Sequence, residues 1–119
     1  MSFNDPLTDW DTSSATSMEK MFLNAQSFNQ PVPFDTSSVT SMKKMFNYAH
    51  AFNQRLDTFD TSSVKDMNHM FYVARAFNQP LNSFDTSSVT DMTGMLHNAV
   101  AFNQPLTSFD TSSVISMVQ

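Results

Sequence analysis

Five aspartates, Asp11, Asp35, Asp60, Asp85 and Asp110, stand 24, 25, 25 and 25 residues apart, and each opens the tetrapeptide Asp-Thr-Ser-Ser. If successive copies stack at the spacing of paired backbones, about 4.8 Å, neighbouring carboxylates repel by roughly 0.9 kcal/mol even at the dielectric of water. The column Asp35, Asp60, Asp85, Asp110 therefore calls for a compensating partner. A cation such as calcium would serve, since it takes several oxygen ligands. One carboxylate per copy, with no second acidic column, is however a thin ligand set. The local alternative is an Asx-turn, in which each Asp accepts from the backbone two residues on and the following serines cap a helix. The column Thr36, Thr61, Thr86, Thr111 beside it reads either as a hydroxyl ladder facing a periodic surface, such as ice or a polysaccharide, or as part of a hydrogen-bonded turn. A third polar column, Asn29, Asn53, Asn78 and Asn103, follows a phenylalanine each time. Amides placed so at a corner suit an inward ladder that satisfies backbone groups at each turn.

Other chemistry is poorly supported. The three histidines, His50, His69 and His97, fall in three different columns of the repeat, and none is placed by a motif beside a serine and a carboxylate. Nine of the ten methionines recur in two fixed columns, which reads as core rather than copper binding. There is no cysteine for a thiol nucleophile or zinc site, and the single glycine excludes a glycine-rich phosphate loop. The expectation is a non-enzyme with no cofactor and no metal. A net charge of −5 argues against nucleic acid. No apolar run is long enough for membrane insertion, and the first residues do not read as a signal peptide.

The elements that would position these columns follow from the repeat. In the third copy Val64, Met67, Met70, Phe71, Ala74 and Phe77 are spaced as the stripe of an amphipathic helix. Ser63 with Asp66, and Ser88 with Asp91, have the spacing of a capping box at its start. The segment Leu81 to Asp85 predicts a short strand-like rung, entered by Pro80, although its Leu and Phe are three residues apart. A 25-residue unit cannot bury its own apolar face, so the fold class predicted is an α/β repeat solenoid with one helix and one rung per copy. Residues 1–119 form a single array of about four and a half copies. Its core is Met42, Met45, Phe46, Phe52, Met67, Met70, Phe71, Phe77, Met92, Met95 and Phe102.

The pattern Asp-Thr-Ser-Ser-Val-x-x-Met-x-x-Met-Phe-x-x-Ala-x-x-Phe-Asn-Gln-Pro-Leu-x-x-Phe resembles the repeat of the BspA-like group of leucine-rich-repeat surface proteins, over almost the whole chain. The resemblance implies a right-handed, leucine-rich-repeat-like solenoid without enzymatic activity, on a cell surface or outside the cell, and often assigned to adhesion. It supplies no catalytic residues. The chain departs from whole surface proteins of that group in lacking a secretion signal, an anchor and capping units. Two readings of the missing caps are open: a piece of a longer array, or ends that stack on other copies into oligomers or filaments. The function expected is a non-catalytic interaction module for a protein or glycan partner. The alternative is a structural assembly subunit.

Overall fold

The computed structural model describes residues 3–115. Each copy of the repeat is one coil, and the coils lie directly on one another. Single parallel bridges join Ser17 to Ser41, Ser41 to Asp66 and Asp66 to Asp91. Beyond each bridge, every second residue donates its N–H to the next coil. Met42, Lys44, Phe46 and Tyr48 donate to the carbonyls of Asp66, Asn68, Met70 and Tyr72 at 2.8–2.9 Å. The same pattern joins Met18, Lys20, Phe22 and Asn24 to the coil after them, and Met67, His69, Phe71 and Val73 to theirs. The residues between donate backwards within their own coil: Met45 to Met42, Asn47 to Lys44 and Ala49 to Phe46.

Two expectations are overturned. Among the described residues there is no helix, so the chain is not an α/β leucine-rich-repeat solenoid. The stretch from Val64 to Phe77 is a run of overlapping four-residue turns instead. Met70, Ala74 and Phe77 each bond back three residues, to Met67, Phe71 and Ala74. First and last residues of such turns fall three apart and face inward together, which reproduces a helical stripe without helical bonds. The backbone groups that would close a helix go to neighbouring coils. Packed helices need about 8 to 10 Å, twice the spacing of bridged backbones, and the Ser, Thr, Asp and Asn between the apolar columns are indifferent helix formers. The strand-like rung is also absent, because Phe84 donates to the Leu81 carbonyl and makes Leu81 to Phe84 a turn. What pairing there is falls at the start of the expected helix. The capping boxes are likewise replaced: the Asp66 and Asp91 carboxylates accept from the N–H groups of Asn68 and Thr93, two residues on.

Two turns in each of the four coils carry a left-handed residue at their third position, the mark of type II geometry. Lys20, Asn24, Lys44, Tyr48, His69, Val73 and Asn98 fill it with φ between 53° and 60°, and Gly94 with φ 60°. In the coil of Gly94 a Cβ would lie 2.8 Å from the His69 ring. Gly94→Ala thus meets both the left-handed penalty and a neighbour. An expected loss of about 1–2 kcal/mol would show as a lower urea midpoint, and an unchanged midpoint would contradict this backbone.

The core runs the length of the stack. Met42, Met45, Phe46, Phe52, Met67, Met70, Phe71, Phe77, Met92 and Met95 are buried, while Phe102 is partly buried against them. Phe28, Phe52, Phe77 and Phe102 form a column of parallel rings at 5.9–6.1 Å. Phe22, Phe46 and Phe71 form a second, at 5.3–5.5 Å. The two columns touch within each coil at 4.1–4.4 Å. Met117, the last residue of its methionine column, lies outside the described residues.

Candidate functional site

The polar columns are spent on bonds within the protein, the Asp and Ser side chains inside each coil and the Thr and Asn side chains between coils. Each of Asp11, Asp35, Asp60 and Asp85 accepts on Oδ1 from both the N–H and the hydroxyl of the serine two residues on. Asp110 accepts the N–H of Ser112 in the same way. Thr36, Thr61 and Thr86 are buried, so they present no hydroxyls to a surface. Each donates its hydroxyl to the carbonyl of the aspartate in the next coil (Asp60, Asp85, Asp110) at 3.0 Å and accepts that residue's N–H at 2.8 Å. Thr111 is exposed. In the asparagine column the Oδ1 of Asn4, Asn29, Asn53 and Asn78 accepts the N–H of Asn29, Asn53, Asn78 and Asn103 in turn. Gln54, Gln79 and Gln104 bind the same amides from the side. Among the described residues no three His, Asp or Glu side chains converge as a metal site.

The serine hydroxyl, and then the serine N–H, hold Asp35, Asp60 and Asp85 below the usual carboxylate range, against mild opposition from neighbouring aspartates for Asp35 and Asp60 and from Asp110 for Asp85. Lowered folded-state values mean that the unfolded chain takes up protons first as pH falls. The contribution is therefore complete above the ordinary carboxylate range, about pH 4, and is lost as pH drops through the folded values. Urea midpoints should hold steady at neutral pH and fall in acid. Replacing Ser62 and Ser87 by Ala should flatten that fall, and an equally steep profile would contradict the assignment.

The residues between the core columns of the turn run behave differently, because they change from coil to coil on a constant frame. Lys20, Lys44, His69 and Gly94 make one column. Leu23, Asn47, Tyr72 and His97 make a second, and Asn24, Tyr48, Val73 and Asn98 a third. Across the first three coils they enclose a shallow groove of about 430 Å³, lined by Lys20, Leu23, Asn24, Lys44, Asn47, Tyr48, His69 and Tyr72. Tyr48 meets Tyr72 edge to face at 5.6 Å, and Tyr72 lies between His69 and His97 at 4.9 and 5.3 Å. Burial, and next the Lys44 ammonium, holds the His69 imidazole below its ordinary value, while its Nδ1 is hydrogen-bonded to the side-chain Oδ1 of Asn68. No carboxylate lines the groove. Of the acids in the two polar columns before it, Glu19 accepts from Ser41, Asp66 from Asn68, and Asp91 from Thr93 and Asn68.

From the sequence, Lys20, Lys43 and Lys44 read either as a small basic spot near the first units or, preferably, as ordinary solvated positions, and nothing there connects them with Tyr48, Tyr72 or Asn47. A usable signal was the variety of residue types confined to these three columns of an otherwise repetitive chain. No curated protein and no solved structure matches the chain. A family model does match it, over residues 1–33 and 32–119. With that coverage the chain belongs to the family described as "Mycoplasma protein of unknown function, DUF285".

Proposed function

We propose that the chain is a non-catalytic interaction module that displays a variable face on a fixed stack of coils and binds a protein or glycan partner, at a cell surface or outside the cell. The observation that carries this is the division of labour among polar residues. The repeated Thr and Asn columns hold neighbouring coils together, and the Asp carboxylates are engaged by serines of their own coil. The varied Lys, Tyr and His columns line an open groove. The test is a panel of immobilised proteins and glycans probed with the chain and with Lys44→Ala and Tyr72→Ala. The exposed pair Arg55 and Asp57, each changed to Ala, is the control. The expected result is a partner lost with the groove variants and kept with the control. Partners indifferent to the groove would overturn the reading.

A second reading, an assembly subunit, is favoured by one feature. Phe3, Trp10, Met21, Phe22 and Ala25 line an apolar recess of about 230 Å³ on the first coil, where half of Trp10 is exposed. Light scattering over a wide concentration range tests it. Growing species that are suppressed by Trp10→Glu would favour assembly, and a monomer at every concentration would sink it.

A further inference from the structure

We propose that the groove over the first three coils is a subsite for an acidic oligosaccharide, a sugar chain carrying carboxylates. This deepens the interaction-module reading and rests on it.

Three observations point to such an occupant. The first is charge. The chain carries −5 overall, yet the groove is lined by two lysines and a histidine with no carboxylate. Lys20, Lys44 and His69 occupy the same column of successive coils, joined through Lys20 N–H to Lys43 C=O and Lys44 N–H to Asn68 C=O. The stacked Lys20 and Lys44 ammoniums repel as stacked carboxylates do, and an anion laid along them relieves this. The second is an amide without a partner. Asn47 is only 5% exposed, lines the groove, and its side chain makes no hydrogen bond among the described residues. Its side-chain atoms are not among the buried ones left without a partner, so the amide is reached from the groove and is free to bond an occupant. It offers two donors and an acceptor, the complement of sugar hydroxyls. The third is the pair of tyrosines. Tyr48 is 39% exposed and meets Tyr72 edge to face at 5.6 Å, giving apolar ring surface for the C–H faces of a pyranose.

An acidic peptide fits less well. Extended peptides bind by adding to an exposed strand edge, and along this groove alternate N–H and C=O groups are already bonded to the neighbouring coil. A long polyanion such as nucleic acid would face the net negative charge of the whole chain. A saccharide needs no backbone partner.

The experiment is titration calorimetry with an oligogalacturonate hexasaccharide. Its fully methyl-esterified form, a hexaglutamate peptide and inorganic phosphate are run beside it. The expected result is saturable binding of the free acid, weakening as salt rises. The neutral ester should bind about tenfold more weakly or worse. Lys20→Gln and Lys44→Gln should each weaken the acid by about tenfold, with Lys44→Arg restoring it. Tyr72→Ala should weaken acid and ester alike, with thermal melting confirming that each variant is folded. Equal binding of acid and ester, equal or tighter binding of hexaglutamate or phosphate, or no binding of the acid would each overturn the inference. If the acid fails while a panel partner is still lost with Lys44→Ala, the saccharide assignment falls and the module reading stands. If no partner depends on the groove, both fall.

Discussion

Phe52→Ala is expected to lower stability by about 3–5 kcal/mol, a large share of the roughly 5–15 kcal/mol that holds a domain together. Phe52 is fully buried, and its ring stacks on Phe46 at 4.1 Å, Phe28 at 5.9 Å and Phe77 at 6.1 Å. Three coils share that ring, so truncation opens a void that neither neighbour can fill without breaking its own bonds to the next coil. Among the described residues no helix stands ready to hold the shape of the stack while the core relaxes. Phe109→Ala, at a partly buried position in the last described coil, should cost less because fewer neighbours depend on it. Urea unfolding of both variants checks this. A Phe52→Ala midpoint close to that of the parent would mean that the aromatic columns do not carry the coil contacts.

The second large effect is expected from Thr61→Val, which keeps the shape of the side chain and removes its hydroxyl. Thr61 is 1% exposed, and its single oxygen both donates to the Asp85 carbonyl and accepts the Asp85 N–H. Valine leaves both backbone groups without a partner, at about 1–3 kcal/mol for each buried one. Thr61→Ser retains the hydroxyl and should lose far less. Hydrogen exchange adds a residue-level readout, since the Asp85 amide should lose protection in the valine variant and keep it in the serine variant. Parallel losses in the two variants would mean that the methyl group, and not the clamp, matters at this position.

The period of the repeat could be read from the sequence because each column recurs, and the bonds between coils follow it. Asn53 receives the Asn78 N–H 25 residues on, and Thr36 receives that of Asp60 after 24. The local backbone could not be read in the same way. A spacing of three between apolar residues arises from a helix and equally from the two ends of a turn. Two signs favoured turns. Leu81 and Phe84 are three apart in a segment read as a strand, where alternation demands an even spacing. Gly94 and Asn98, both tolerant of φ > 0, stand four apart and mark the left-handed positions that Lys44, Tyr48, His69 and Val73 fill in other coils. The groove stayed hidden for the same reason. Helices at their usual spacing would hold Lys20, Lys44 and His69 about 8 to 10 Å apart, too far to act as one strip. Coils bonded backbone to backbone bring the three together.

The direction of the backbone bonds has a mechanical consequence. Nearly all of the bonds that join coils lie along the stack, so a pull on the two chain ends loads them in sequence, one coil peeling from the next. Each coil released frees 25 residues, about 85 Å of extended chain, while the coils behind it keep their contacts. A tether built this way gives way in steps and lengthens under load instead of failing at once.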